Sequence, residues 1–119
     1  MEINKRMEGN TEIAVVYSEE FVITDVQSAL DFIMTIQYET GCYSVVLNKE
    51  AIVEDFFDLK TRIAGEILQK FVNYHTKFAI YGDFSKYTSK SLKDFIYECN
   101  NGNNIFFADT KDDAVAYLS

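Results

Sequence analysis

The first residues of the chain carry the pattern of half-buried β-strands. Ile13, Val15 and Tyr17 alternate with smaller neighbours, as expected for a strand with one face in a core. Upstream, the pair Gly9-Asn10 suits the positive φ angles of a tight hairpin turn. Residues 2–17 are therefore predicted to form two antiparallel strands.

A helical period follows the hairpin. Thr24 and Gln27 have the spacing of a capping box, in which each side chain binds a free amide at the other end of the first turn. Behind them, apolar residues recur every three or four positions, and Gly41 is a suitable helix stop. This pattern predicts the first helix.

The rest of the chain repeats one unit, a short apolar run followed by a helical period. Strands are predicted at 43–47, 77–81 and 104–108, and helices at 59–74, 89–99 and 110–118. The order ββαβαβαβα predicts an α/β fold with right-handed crossovers and a largely parallel sheet, edged by the antiparallel hairpin. No linker or internal repeat interrupts residues 1–119, so a single domain is expected.

Composition narrows the class of protein. The 119 residues are 48% hydrophobic, which is enough for one buried core. No apolar run approaches the roughly 18 residues of a membrane span, and the first residues lack the apolar segment of a signal peptide. We therefore expect a cytoplasmic protein without a membrane partner, in which Cys42 and Cys99 are reduced thiols.

Charge and motifs exclude several functions. The formal net charge of −8 argues against a nucleic-acid partner, which would require a basic surface. The chain contains neither a glycine-rich dinucleotide motif nor a phosphate-binding loop. His75, Cys42 and Cys99 lack the spacing of metal ligands, so neither a metal site nor a cofactor is predicted.

The parallel topology gathers polar residues at one edge of the sheet. Ligands of open α/β sheets bind beyond the carboxyl ends of the strands, where helix N-termini also point. The candidates for binding a ligand or partner at this upper edge are Asn48, Glu50, Asp83, Ser85, Lys86, Lys90 and Asp109. The alternative is that these residues only cap helices and close turns.

Two of these candidates are lysines that lie near a predicted helix N-terminus. The helix dipole disfavours Lys86 and Lys90 at this position. We therefore expect an anion beside them, supplied by Glu50, by Asp83 or by a ligand.

The connection at residues 50–58 mixes acidic and aromatic residues without a clear period. As a recognition loop, it would present aromatic anchors within an acidic rim. Alternatively, its aromatic pair fills the gap between helix and sheet, and its last aspartate caps a helix. The partner-loop candidates are Glu54, Asp55, Phe56, Phe57 and Asp58.

Four segments resemble one uncharacterised bacterial family, the domain of unknown function 4180. They are ITDVQSALD (23–31), NKEAIVEDFFDL (48–59), AGEILQKFVNY (64–74) and GDFSKYTSKSLKDFIYE (82–98). The resemblance covers nearly the whole chain. The family name implies no activity.

The element order also resembles that of STAS domains, the fold of bacterial anti-sigma-factor antagonists. Regulators of that kind carry a phosphorylatable serine at the start of the helix after the third strand. The matching region here, residues 58–61, contains no serine, and Thr61 is its only hydroxyl. The resemblance therefore makes Thr61 the candidate phosphorylation site.

Two functional hypotheses follow from these observations. The first is a small protein-interaction or regulatory domain whose partner is another protein, because no catalytic constellation is present. The second is an enzyme or small-molecule-binding protein that uses the polar upper edge.

Overall fold

The computed structural model describes residues 1–119 and confirms the predicted α/β element order. The strands are β1 (Glu2–Glu8), β2 (Thr11–Tyr17), β3 (Ser44–Asn48), β4 (Lys77–Tyr81) and β5 (Ile105–Ala108). The helices are α1 (Val26–Thr40), α2 (Ile63–Asn73), α3 (Lys90–Asn100) and α4 (Lys111–Leu118).

The strands lie in the sheet in their chain order, β1-β2-β3-β4-β5. β1 and β2 pair antiparallel, whereas the other neighbours pair in parallel. Because every crossover leads to the adjacent strand with the same hand, α1, α2 and α3 lie on one face of the sheet. The carboxyl ends of the parallel strands therefore meet at one edge, called here the upper edge.

Each face of the sheet has its own core. On the larger side, α1, α2 and α3 pack against the sheet, and the rings of Phe71 and Phe78 stack with centroids 4.0 Å apart. On the other side, α4 alone supplies the cover through Ala114, Val115 and Leu118. Central strands are thus buried on both faces, as their continuous apolar runs predict.

The N-cap of the first helix lies one residue later in the chain than predicted. Asp25, not Thr24, is the N-cap, and Asp25 Oδ1 accepts from the Ser28 amide at 2.8 Å. The Ser28 hydroxyl accepts from the Asp25 amide at 3.0 Å, so Ser28 rather than Gln27 closes the capping box. At the other end, Gly41 takes the left-handed conformation with φ of 71°.

The connection between β3 and α2 is longer than the periodicity predicts. It consists of three short 3₁₀ turns, Lys49–Ala51, Glu54–Phe57 and Leu59–Thr61. Arg62 then adopts a left-handed φ of 64°, which interrupts the helical hydrogen bonds. For this reason α2 starts at Ile63 and the predicted start at residue 59 is wrong.

The two edge strands of the sheet differ in whether their outward backbone groups have a partner. On the free side of β5, the Asn100 side chain binds both backbone groups of Phe107. Asn100 Oδ1 accepts from the Phe107 amide at 2.7 Å, and Asn100 Nδ2 donates to the Phe107 carbonyl at 3.0 Å. β1, at the opposite edge, has β2 as its only neighbouring strand.

Candidate functional site

Asn48 lies at the upper edge but is used inside the fold. It is fully buried, and its side chain binds both backbone groups of Ser18, where the chain leaves β2. The Ser18 amide donates to Oδ1 at 2.9 Å, and Nδ2 donates to the Ser18 carbonyl at 2.8 Å. Nδ2 also lies 3.3 Å from Glu50 Oε1. Asn48 therefore holds two strand ends together and has no free group for a ligand.

The next residue, Lys49, is the polar group that sequence reasoning missed. Its side chain is only 9% exposed, and its ammonium lies 3.7 Å from Glu54 Oε1. It also lies over two aromatic rings, 5.6 Å from the centroid of Phe57 and 5.2 Å from that of Tyr87. These contacts are cation–π interactions, which stabilise a desolvated ammonium. Its position directly after a buried strand is the sequence feature that would have indicated the burial of Lys49.

Glu54 connects the acidic connection to the turn after β4. Its carboxylate accepts from Lys86 Nζ at 3.0 Å and from the Tyr87 hydroxyl at 2.9 and 3.1 Å. Partial burial raises the pKa of Glu54, but the hydrogen bonds from Lys86 and Tyr87 and the charge of Lys49 outweigh it and lower that pKa. For Tyr87, burial and the bond to Glu54 both raise the pKa. The group Lys49, Glu54, Lys86 and Tyr87 is called here the Glu54 cluster.

The charges that we expected beside the two surface lysines are supplied by other residues. Glu54, not Glu50 or Asp83, is the partner of Lys86. Lys90 binds Asp94 one turn along α3, with 2.7 Å between Nζ and Oδ2. No ligand is needed to balance either lysine.

The remaining polar residues of the turn after β4 serve backbone groups. Asp83 Oδ1 accepts from the Ser85 amide at 2.9 Å, and bonds from Ser85 lower the pKa of Asp83. Ser89 is the N-cap of α3 and accepts from the Leu92 amide at 3.3 Å. Gly82 ends β4 as the change of period predicts.

The interpretation of Phe56 and Phe57 as surface anchors is wrong. They are 1% and 4% exposed, and both belong to the large core. Phe57 also stacks on Tyr87 with centroids 5.2 Å apart, and its burial leaves no ring face free for a partner. The pair fills the space between helix and sheet because burying two phenyl rings is far more favourable than exposing them.

The hydroxyl of Thr61 helps to close the same connection. Oγ1 lies 2.8 Å from the carbonyl oxygens of both Asp55 and Asp58 and 3.3 Å from the Ile63 amide. Asp58 accepts from the Lys60 amide at 3.1 Å and so caps a 3₁₀ turn rather than a helix. The side chains of Asp55 and Asp58 remain on the surface.

Two open clefts flank this upper edge. One, of about 480 Å³, is lined by the Glu54 cluster residues Glu54, Lys86 and Tyr87 and, at the start of α3, by the N-cap Ser89 and by Leu92. The other, of about 560 Å³, lies between α3 and α4 beside β5 and is called here the α3–α4 cleft. Between the two stands Phe84, whose ring centroid lies 5.9 Å from that of Phe57 and 5.6 Å from that of Phe107.

The α3–α4 cleft combines apolar walls with acidic groups. Its apolar lining includes Phe84, Ile96, Phe107 and Tyr117, and its acidic lining is Asp109 and Asp113. No lysine or arginine lines it. Of these residues only Asp109 was a candidate from the sequence. The others come from α3, α4, β5 and the turn after β4, which the strand order brings together.

The described residues do not form other familiar kinds of site. No group of three or more His, Cys, Asp or Glu side chains is placed to hold a metal ion. Cys42 is buried and Cys99 is half-buried, and both are free thiols. Burial and the charge of Glu98 raise the pKa of Cys99, which disfavours the reactive thiolate. No helix is both long and apolar enough to cross a membrane.

A comparison with protein-family models confirms the family that the four sequence segments resemble. The model described as Domain of unknown function (DUF4180) matches residues 8–118. The chain belongs to the DUF4180 family. Neither the curated proteins nor the solved structures contain a match to this DUF4180 chain. The upper edge of the sheet, the Glu54 cluster and the α3–α4 cleft all lie within the matched residues.

Proposed function

We propose that this DUF4180 chain is a cytoplasmic protein-interaction domain whose α3–α4 cleft binds a segment of a partner polypeptide. The segment presents a lysine or arginine beside an apolar side chain. One observation carries the proposal: the cleft joins aromatic walls to two carboxylates and contains no cation.

The chemistry of the cleft selects this partner. Tyr117 is 42% exposed, so its ring is available to an apolar or cationic side chain. Asp109 and Asp113 are both exposed and offer carboxylate acceptors for an ammonium or guanidinium group. The net charge of −8 also attracts a basic partner over a longer range. A volume of about 560 Å³ is large enough for one or two side chains.

The competing enzyme hypothesis loses its support at the same edge. It requires polar groups that converge on one pocket, but Asn48 binds Ser18 and Asp83 binds Ser85. Lys86 and Lys90 are paired with Glu54 and Asp94. Because these groups are occupied within the chain, binding is the better supported function.

A regulatory role of the STAS kind is a further part of the proposal, with Thr61 as the phosphorylation site. A phosphate on Thr61 would remove its hydroxyl proton from the bonds to Asp55 and Asp58. The new negative charge would also stand beside those two aspartates. Phosphorylation would therefore loosen the connection that carries Glu54, next to the turn with Phe84.

Selection from a random peptide library, followed by isothermal calorimetry of the selected peptides, tests the binding proposal. We expect selected peptides to share a basic residue adjacent to an apolar one. Asp109→Asn combined with Asp113→Asn should weaken their binding tenfold or more, because both carboxylates lose their charge. Asp112→Asn is the matched control, since Asp112 lies outside the cleft and faces Arg6.

Three results would overturn the proposal. They are a library without any enriched peptide, enriched peptides without a basic residue, and equal binding by the double variant and the wild type. Acetylated arginine amide, added alone, serves as the small-molecule probe. Binding as tight as that of the peptides would identify the cleft as a small-cation site instead.

A further inference from the structure

The outer edge of β1 is an unoccupied strand edge. β1 pairs with β2 in an unbroken register from Glu2 to Glu8, without a bulge. It has no strand on its other side, whereas the free side of β5 is bound by Asn100. An uncovered, regular edge strand is a template for pairing with another strand.

We propose that a second copy of this chain pairs with that edge. The two β1 strands would run antiparallel across a two-fold axis and join both sheets into one. A two-fold interface uses the same surface on each copy, so the side chains of β1 must be complementary to themselves.

The self-complementarity depends on the register. In a continuous sheet, directly opposite residues lie on the same face, so the two-fold axis must pass through a residue position. Registers centred on Asn4, Lys5 or Arg6 keep most of β1 paired. A centre at Lys5 places that lysine opposite its own copy and Glu2 opposite Glu8. A centre at Arg6 places Arg6 opposite its own copy.

Of these three registers, only the one centred on Asn4 pairs unlike charges. It places Glu2 opposite Arg6 of the second copy, and by symmetry this pair occurs twice. Asn4 then faces its own copy, where two amide side chains can bond to each other. Like charges directly opposite each other destabilise a sheet, whereas unlike charges stabilise it. The charges of β1 thus favour one register of self-pairing over its neighbours.

The side chains required for this pairing are accessible. Arg6 is 42% exposed, and its contacts with Glu8 at 2.8 Å and Asp112 at 3.6 Å leave guanidinium donors free. Glu2 is exposed and forms no ion pair within the chain. Because one strand pair buries little area, the dimer should be weak and should weaken further as salt screens the charges.

Sedimentation velocity of the full chain at low salt, over a concentration series, tests the proposal. We expect a reversible monomer–dimer equilibrium. Arg6→Glu and Glu2→Arg should each lower the association constant about tenfold or more, because two attractive pairs become repulsive. Mixing the two variants should restore dimers, since both pairs are then of opposite charge. Unchanged circular dichroism and melting temperature would show that each variant is folded.

Lys5→Gln is the matched control on the same strand. In the Asn4-centred register Lys5 faces Ile3 of the second copy, so we expect this substitution to leave association nearly unchanged. Stronger association of Lys5→Gln would reveal the Lys5-centred register and overturn the proposal. A chain that is monomeric at every concentration, or a mixture that dimerises no better than its separate components, would overturn it as well.

Discussion

The stem of Lys49 lies against Gly82. A β-carbon on Gly82 would lie 3.2 Å from Cδ of Lys49 and 2.7 Å from its Cβ, and the second distance is shorter than β-carbons approach other atoms in proteins. The absence of a side chain at Gly82 is therefore what lets Lys49 lie beneath the rings of Phe57 and Tyr87. The glycine that follows β4 thus has a packing function as well as a turning one.

Replacing this glycine should destabilise the protein. We expect Gly82→Ala to lower the free energy of unfolding by about 1–3 kcal/mol, because the new methyl group displaces the Lys49 side chain from its cluster. Urea unfolding followed by circular dichroism measures the change. Wild-type stability in this variant would contradict the described contact.

The glycine in α2 should respond in the opposite direction. Gly65 has no atom within 4 Å of the position of a β-carbon and lies in a helix. We expect Gly65→Ala to raise the free energy of unfolding by about 0.5–1 kcal/mol, because alanine loses less backbone entropy on folding. The same urea titration measures this change. A loss of stability would mean that α2 is more closely packed at Gly65.

The Glu54 cluster should make stability depend on pH. Partial burial raises the pKa of Glu54, but its bonds to Lys86 and Tyr87 give a lower value in the folded chain than in the unfolded one. The contribution of the ionised carboxylate is therefore complete above the unfolded pKa of about 4.3 and is lost as pH falls through the folded value. Glu54→Gln should be less stable than wild type at pH 7, and the difference should shrink below about pH 4.

Urea titrations of both proteins from neutral to acidic pH measure that difference. Glu66→Gln provides the control, because Glu66 is exposed on α2 and has no ion pair. A difference that stays constant over the whole pH range would show that Glu54 contributes through its shape rather than its charge.

Asn100 should be essential to the β5 edge. Asn100→Ala removes both side-chain bonds to Phe107, which is 3% exposed, so its backbone groups lose their partners. We expect a loss of about 1–3 kcal/mol in the free energy of unfolding. Hydrogen exchange of the Phe107 amide should also accelerate strongly. Asn103→Ala, in the exposed turn that follows, should change neither measurement.

Phe57 should behave as a core residue. Phe57→Ala should cost about 3–5 kcal/mol in the free energy of unfolding, because it leaves a cavity beneath Phe56, Phe84 and Tyr87. Phe21, which is 57% exposed, is the control, and Phe21→Ala should cost far less. Thermal unfolding by calorimetry measures both. Equal effects would restore Phe57 as a candidate surface anchor.

The parts of the fold that periodicity predicted are those governed by local sequence. β4 occupies the predicted residues 77–81, because an apolar run flanked by polar residues has few other structures available. The start of α2 was missed because the left-handed Arg62 has no sequence signature comparable to glycine. Local pattern therefore locates elements better than it locates their ends.

The candidate site was predicted less completely, and for a different reason. Lys49 was overlooked because a lysine is usually exposed. Its burial depends on two aromatic rings that lie elsewhere in the sequence and that no periodic pattern places beside it. Phe57 was assigned to a surface because its connection lacks a period. The walls of the α3–α4 cleft come together only through the strand order, which the sequence does not state.

The bond pair between Asn100 and Phe107 also bears on how large an assembly this chain can build. A sheet that is open at both ends can add copies without limit and grow into a fibril. Here the Asn100 side chain binds the outward backbone groups of Phe107 in β5, so a copy joined through β1 as proposed would offer no freely accessible second edge. In the proposed dimer, growth by strand addition would therefore stop at two molecules, and a single asparagine would set that stoichiometry.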